Sequence, residues 1–124
     1  MPGDPDVIVD FVFEDGLLFV ALRNIGSRPA YDVSTRFDKP FHGLHGTREI
    51  SALRLFRRVA FLAPGREIRA FLDTSAAYFR RREPTRIAAV VSYRTAAGER
   101  HEHTFKHDLA VYRELGYVLR EAHD

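Results

Sequence analysis

LLFVALRNIGSRPAYDVSTRF, residues 17–37, is the stretch whose reading decides the fold. An apolar run from Leu17 to Leu22 stops at Arg23-Asn24, and the turn-forming residues Gly26, Ser27 and Pro29 follow. Ala30-Tyr31-Asp32-Val33 then opens a second extended segment. Glycine takes a positive backbone φ at little cost and proline fixes its own φ, so two strands joined by a glycine–proline turn are the simplest reading. Leu17 to Arg23 is apolar on both faces, which places it at the centre of a sheet with cover on each side.

Working back towards the amino terminus, residues 6–13 alternate. Val7, Val9, Phe11 and Phe13 share one face, while Ile8, Asp10 and Val12 share the other, which is the period of a strand. Glu14-Asp15-Gly16 supplies a hairpin turn. Residues 1–5, with two prolines and a glycine, read as a flexible end.

Working forward, residues 30–38 form a third strand with Tyr31, Val33, Thr35 and Phe37 on one face. Residues 39–47 contain Pro40, Gly43 and Gly46 and read as a loop. Residues 48–55 fit either an edge strand or a single helical turn, because Ile50, Leu53 and Phe56 have near-helical spacing. Residues 58–62 are extended, Ala63-Pro64-Gly65 has the composition of a type II turn, and residues 67–73 alternate with Ile68, Ala70 and Leu72 on one side. A short helix capped by Thr74 or Ser75 precedes Pro84. Residues 85–93 form a strongly apolar strand, a turn at 96–99 follows, and residues 100–108 return antiparallel. Leu109, Tyr112, Leu115, Val118 and Leu119 fit a helical stripe, interrupted by Gly116. The expected division is a flexible segment at 1–5, a sandwich at 6–108 and a helical extension at 109–124.

Short strands separated by turn signals favour an antiparallel sandwich over parallel β-α-β units. The 124 residues, 45% hydrophobic and 29% charged, suffice for one domain with its own core. With no cysteine, disulfides, thiolate nucleophiles and thiolate metal sites are excluded. The amino terminus lacks a basic region followed by an apolar one, and no apolar run approaches the roughly 20 residues of a membrane span. A soluble, cytoplasmic protein without a transmembrane segment is the expectation. The formal charge of +2 neither drives nor forbids binding to phosphate backbones.

Arg23-Asn24-Ile25-Gly26-Ser27-Arg28-Pro29-Ala30 followed by Val33 resembles the RNxGxxPAxxV signature of bacterial immunoglobulin-like sandwich domains, among them CARDB-type adhesion modules. Leu62-Ala63-Pro64-Gly65-Arg66-Glu67-Ile68 is similar to their LxPGxEI turn. Tyr93-Arg94, Gly98, Phe105 and Asp108-Leu109 resemble their closing hairpin. The resemblance spans residues 6–109 and implies an immunoglobulin-like fold. It implies a spacer or interaction role and brings no catalytic residues with it.

Three constellations bear on chemistry. His101 and His103, with His107 further along the same strand, are two apart and share a face about 6–7 Å apart, the spacing of a chelating pair. His42 and His45 are candidates to complete such a site; the plain alternative is a histidine-lined sheet rim. Arg80-Arg81-Arg82 with Arg86, and Arg57-Arg58, flanked by Tyr78 and Phe79, have the composition of a phosphate-contacting surface. Glu83 beside them fits an ion-paired rim instead. Ser27, Ser34, Ser51, Ser75 and Ser92 lie in no nucleophile-elbow context, so no catalytic residue is assigned. Phe19, Phe71 and Phe79 are the aromatics left least covered. They form either a partner-contacting patch or the packing surface of the carboxy-terminal helix, and the second is expected.

The expectation is therefore an all-β, immunoglobulin-like antiparallel sandwich of about seven strands with a short carboxy-terminal helix. It acts as a non-enzymatic interaction or structural module without a cofactor. Its partner is another protein or a second copy met through an edge strand, and nucleic acid is not expected. The alternative is a histidine-based metal-binding domain with His101 and His103 as ligands.

Overall fold

A computed structural model describes residues 4–115. β1 (Val7–Glu14) and β2 (Leu17–Asn24) form the expected hairpin, in unbroken register from Val7 opposite Asn24 to Glu14 opposite Leu17. Asp15 and Gly16 between them have φ of 51° and 78°, the left-handed pair that a two-residue type I′ turn requires. β3 (Ala30–Phe37) follows the glycine–proline turn. The next segment holds a two-residue hairpin of β4 (His42–Gly43) and β5 (Arg48–Glu49), a 3₁₀ turn (Ile50–Ala52) and the one-turn helix α1 (Arg54–Arg57). Of the two readings open for residues 48–55, the helical turn accounts for most of the segment.

β6 (Val59–Leu62) and β7 (Glu67–Thr74) are joined through Pro64 and Gly65, whose φ of 76° completes the type II turn. Helix α2 (Ser75–Arg80) is capped by Thr74, whose hydroxyl accepts from the Ala77 amide at 3.1 Å. β8 (Arg86–Arg94) and β9 (Arg100–Asp108) close the chain's main body. No helix among the described residues is long and apolar enough to cross a membrane.

The long strands make two antiparallel layers, β1-β2-β7 and β6-β3-β8-β9, which is the expected sandwich. β2 is indeed central in its layer. Val7, Val9, Phe11, Leu18, Val20, Leu22 and Leu72 line one inner face. Ala30, Val33, Leu62, Ile87, Ala89, Val91 and Tyr93 line the other. Removing each large apolar side chain from water contributes about 1.5–3 kcal/mol, so this double row is the main source of stability. One end of the sandwich is stoppered by aromatics from the 37–57 connection. Phe37 meets Phe41 and Phe56 edge to face, each at 4.9 Å, and Phe41 meets Phe11 at 5.6 Å.

Three sequence expectations change. Tyr31 does not share a face with Val33, because the β3–β8 register slips between Tyr31 and Ser34 and Asp32 takes a φ of 50°. That bulge turns Tyr31 outward while Ala30, Val33 and Thr35 face the core. Gly26 is needed for close approach and not for a positive φ: a Cβ there would lie 2.8 Å from the Pro5 Cα and 2.7 Å from the Asp6 amide nitrogen. Pro5 itself is buried, so the packed domain begins ahead of Asp6. At the other terminus Leu109 is buried and residues 111–115 are helical; the rest of the expected extension lies outside the described residues.

Candidate functional site

Asn24 organises the end of the sandwich that carries the RNxG motif. It is fully buried, which its place in a presumed turn gave no reason to expect. Its Oδ1 accepts from the amides of Asp6 (3.2 Å) and Gly26 (3.0 Å), and its Nδ2 donates to the carbonyls of Arg28 (2.8 Å) and Leu62 (3.1 Å). One amide thus ties the amino-terminal segment, the β2–β3 turn and the end of β6 together. Burial costs it little because all its bonding capacity is used.

Above this latch lies a cleft of about 520 Å³ lined by Asp4, Asp6, Gly26, Tyr93, His101 and His103, among others. Residues 101, 103, 105 and 107 of β9 point inward, as the strand period requires. The imidazoles of His101 and His103 stack with centroids 6.4 Å apart, and His103 Nε2 lies 3.0 Å from the Tyr93 hydroxyl. His101 Nε2 is buried without a hydrogen bond, and a Glu99 carboxylate oxygen is 4.0 Å away. The two candidates therefore do stand side by side. Among the described residues, though, no group of three histidine, aspartate or glutamate side chains is placed to hold a metal ion.

The other histidines go elsewhere. His42 faces Glu83 at 3.5 Å and Glu49 at 3.9 Å, and the His45 amide donates to Asp73. His107 Nε2 bonds the Val9 carbonyl at 2.9 Å.

That last contact belongs to a row. In the β1–β2 ladder the even-numbered residues of β1 bond to β2, so the main-chain groups of Pro5, Val7, Val9 and Phe11 point to the open side. The Tyr93 hydroxyl reaches the Pro5 carbonyl at 3.4 Å, His107 the Val9 carbonyl, and the Tyr112 hydroxyl the Phe11 carbonyl at 3.1 Å. Burial raises the pKa of both phenols, against the Val7 backbone for Tyr93 and helped by Asp10 for Tyr112, so both stay protonated donors. The β1 edge is closed to any incoming strand by its own chain's side chains. The sequence singles out Tyr93 in the closing hairpin, His107 beside the histidine pair and Tyr112 in the helical stripe, but not their common role. The bonding to main chain leaves no mark in residue spacing.

The Arg80–Arg82 run also has a structural answer at its middle residue. Arg81 bonds the Asp73 carboxylate at 2.8 Å and the carbonyls of Ala77 (3.1 Å) and His42 (3.0 Å), and its guanidinium lies over the Tyr78 ring at 5.8 Å. Asp73 is 1% exposed and also accepts from the amides of Thr74 and His45. Arg57 and Arg58 stand apart from this hub, on the outer side of the four-stranded sheet.

The β7 edge is different from β1. β7 bonds to β2 through Arg66, Ile68 and Ala70, so the main-chain groups of Glu67, Arg69 and Phe71 face outward. Further along, the bulge at Leu72 turns its carbonyl to the Leu44 amide (2.9 Å), which caps the strand's end. Among the described residues nothing bonds the outward groups of 67, 69 and 71. Phe71, 37% exposed, lies edge to face with Phe19 at 5.7 Å, and Arg69 sits over the Phe19 ring at 5.0 Å. The carboxy-terminal segment instead covers Phe13, on which Tyr112 stacks, and Phe79, over which Arg113 lies. The packing-surface reading thus applies to Phe79, while Phe19 and Phe71 form the patch.

A family model described as Domain of unknown function (DUF8453) matches residues 3–113, and the chain belongs to that family. It matches no curated protein and no solved structure.

Proposed function

We propose that this DUF8453 domain is a non-enzymatic interaction module that docks through the open edge of β7, and that the edge takes a second copy of the same chain. The carrying observation is the asymmetry between edges: Tyr93, His107 and Tyr112 close β1, while Glu67, Arg69 and Phe71 leave β7 open beside an apolar aromatic pair. An open strand offers a template of free donors and acceptors that another strand can satisfy.

Charge argues for self-pairing. An antiparallel pair centred on Ile68 sets Glu67 opposite Arg69 of the second copy, and Arg69 opposite its Glu67. Opposite charges directly across strands are favourable, and both positions have outward main-chain groups. Within one chain Arg69 already bonds Glu67 at 3.2 Å and Glu14 at 2.9 Å, so pairing redistributes existing ion pairs and strands no charge.

Sedimentation of the purified chain is expected to show a concentration-dependent dimer. Arg69→Pro removes one outward N–H without touching the ladder to β2, and is expected to abolish the dimer with little loss of stability. A monomer at every concentration, or a dimer indifferent to Arg69→Pro, overturns the proposal.

A further inference from the structure

The outer face of the four-stranded sheet carries a row of side chains in direct register across all its strands. Phe61 of β6 faces Tyr31 of β3, Tyr31 faces Arg94 of β8, and Arg94 faces Arg100 of β9. Two aromatics and two arginines therefore run side by side across one surface. Phe61 is 54% exposed and meets Tyr31 edge to face at 5.5 Å.

Beside the arginine half is a cleft of about 340 Å³ lined by Arg57, Arg58, Arg94 and Arg100 with Asp32 and Ser34. Four guanidinium groups meet a single carboxylate there. Asp32 is committed to Arg58, whose Nε lies 3.0 Å from its Oδ1. Arg57, Arg94 and Arg100 make no ion pair among the described residues. Glu102, the next acid on β9, is turned to Arg36 at 3.8 Å. Ser34 lies across from Ser92, and their hydroxyls bond each other at 2.9 Å on the same face. A second shallow cleft bounded by Arg54, Arg57 and Arg58 extends the basic surface.

Two features of this arrangement work against stability. Like charges directly opposite on neighbouring strands repel, as Arg94 and Arg100 must. The bulge at Asp32 holds a non-glycine residue at positive φ, and its effect is to bring Tyr31 to the outer face in line with the arginines. Unpaired arginines present forked donors that match phosphate oxygens, and an exposed aromatic beside them presents a surface for a flat ring.

We propose that this face binds a nucleotide unit, with the phosphate held by Arg57, Arg94 and Arg100 and the base stacked on Tyr31 beside Phe61. The unit is either a free nucleotide or one residue of a single strand, since both carry the same ring and phosphate. Arg80 and Arg82, the basic run conspicuous in the sequence, take no part.

Calorimetric titration with ADP and with inorganic phosphate, and fluorescence anisotropy with a labelled oligothymidylate, test the assignment on the full chain. ADP or the oligonucleotide is expected to bind, with affinity falling as salt rises. The arm that binds tighter identifies the source. Arg94→Gln with Arg100→Gln is expected to weaken binding at least about tenfold while leaving Tm unchanged or higher, because repulsion is relieved. Tyr31→Ala is expected to weaken the nucleotide and leave phosphate affinity unchanged. Arg80→Gln with Arg82→Gln is expected to change neither. The proposal is overturned if neither nucleotide probe binds, if the arginine pair leaves binding unmoved, or if phosphate alone binds as tightly as ADP.

Discussion

Asn24→Ala is expected to destabilise the domain by about 3 kcal/mol, lowering Tm by on the order of 10 °C. Asn24 makes four hydrogen bonds to main chain, and alanine makes none. The Leu62 carbonyl then stays buried without a donor, and the amides of Asp6 and Gly26 lose their acceptor. Each unsatisfied buried group costs about 1–3 kcal/mol, and the partly buried ones regain water for less. Asn24→Asp keeps the acceptor oxygen but sets a carboxylate against the Arg28 and Leu62 carbonyls. That change is expected to be at least as damaging at neutral pH and to recover in acid, where the protonated acid can donate. Thermal unfolding of the variants reads both effects. A Tm within a few degrees of the parent for Asn24→Ala would remove the latch from the account.

The second large effect is expected at the opposite end of the sandwich. Arg81→Ala leaves Asp73 buried with only the Thr74 and His45 amides for partners and frees the Ala77 and His42 carbonyls. Breaking a buried pair from one side costs about 3–5 kcal/mol. The lower end of that range applies, because 23% of the Arg81 side chain is exposed. Arg81→Ala combined with Asp73→Asn is expected to lose clearly less than the sum of the two single changes, since it strands no charge. Denaturant unfolding of the two single variants and the double variant closes the cycle. Strict additivity would mean that the ion pair carries no coupling.

How much of this was legible in the sequence differs element by element. Val7, Val9 and Phe11 alternate with solvent-facing residues, and Asp15-Gly16 can hardly do anything but turn, so the first hairpin was readable from local chemistry alone. Pro64-Gly65 and the Thr74 cap were readable for the same reason. Tyr31 was misplaced because a bulge adds one residue to a strand without changing its composition, and period counting passes straight through it. Asn24 and Arg81 were read as turn and charge run because a single chain shows a polar residue but not the buried carbonyls it will satisfy. His101 and His103 were brought together as their spacing required, while His42 and His45 depended on tertiary folding that spacing does not encode. The row of Phe61, Tyr31, Arg94 and Arg100 draws on β3, β6 and the β8–β9 hairpin, three separate parts of the chain that only strand register brings into line.

The interaction proposal stands or falls on which sheet edge recognises another strand, and hydrogen–deuterium exchange read at successive protein concentrations tests this directly. The amides of Glu67, Arg69 and Phe71 are expected to exchange freely in dilute solution and to gain protection as concentration rises, with Arg69→Pro abolishing the gain at the other two. Protection that never changes with concentration at these three amides, or that grows along β9 instead, would contradict the assignment of β7 as the docking edge.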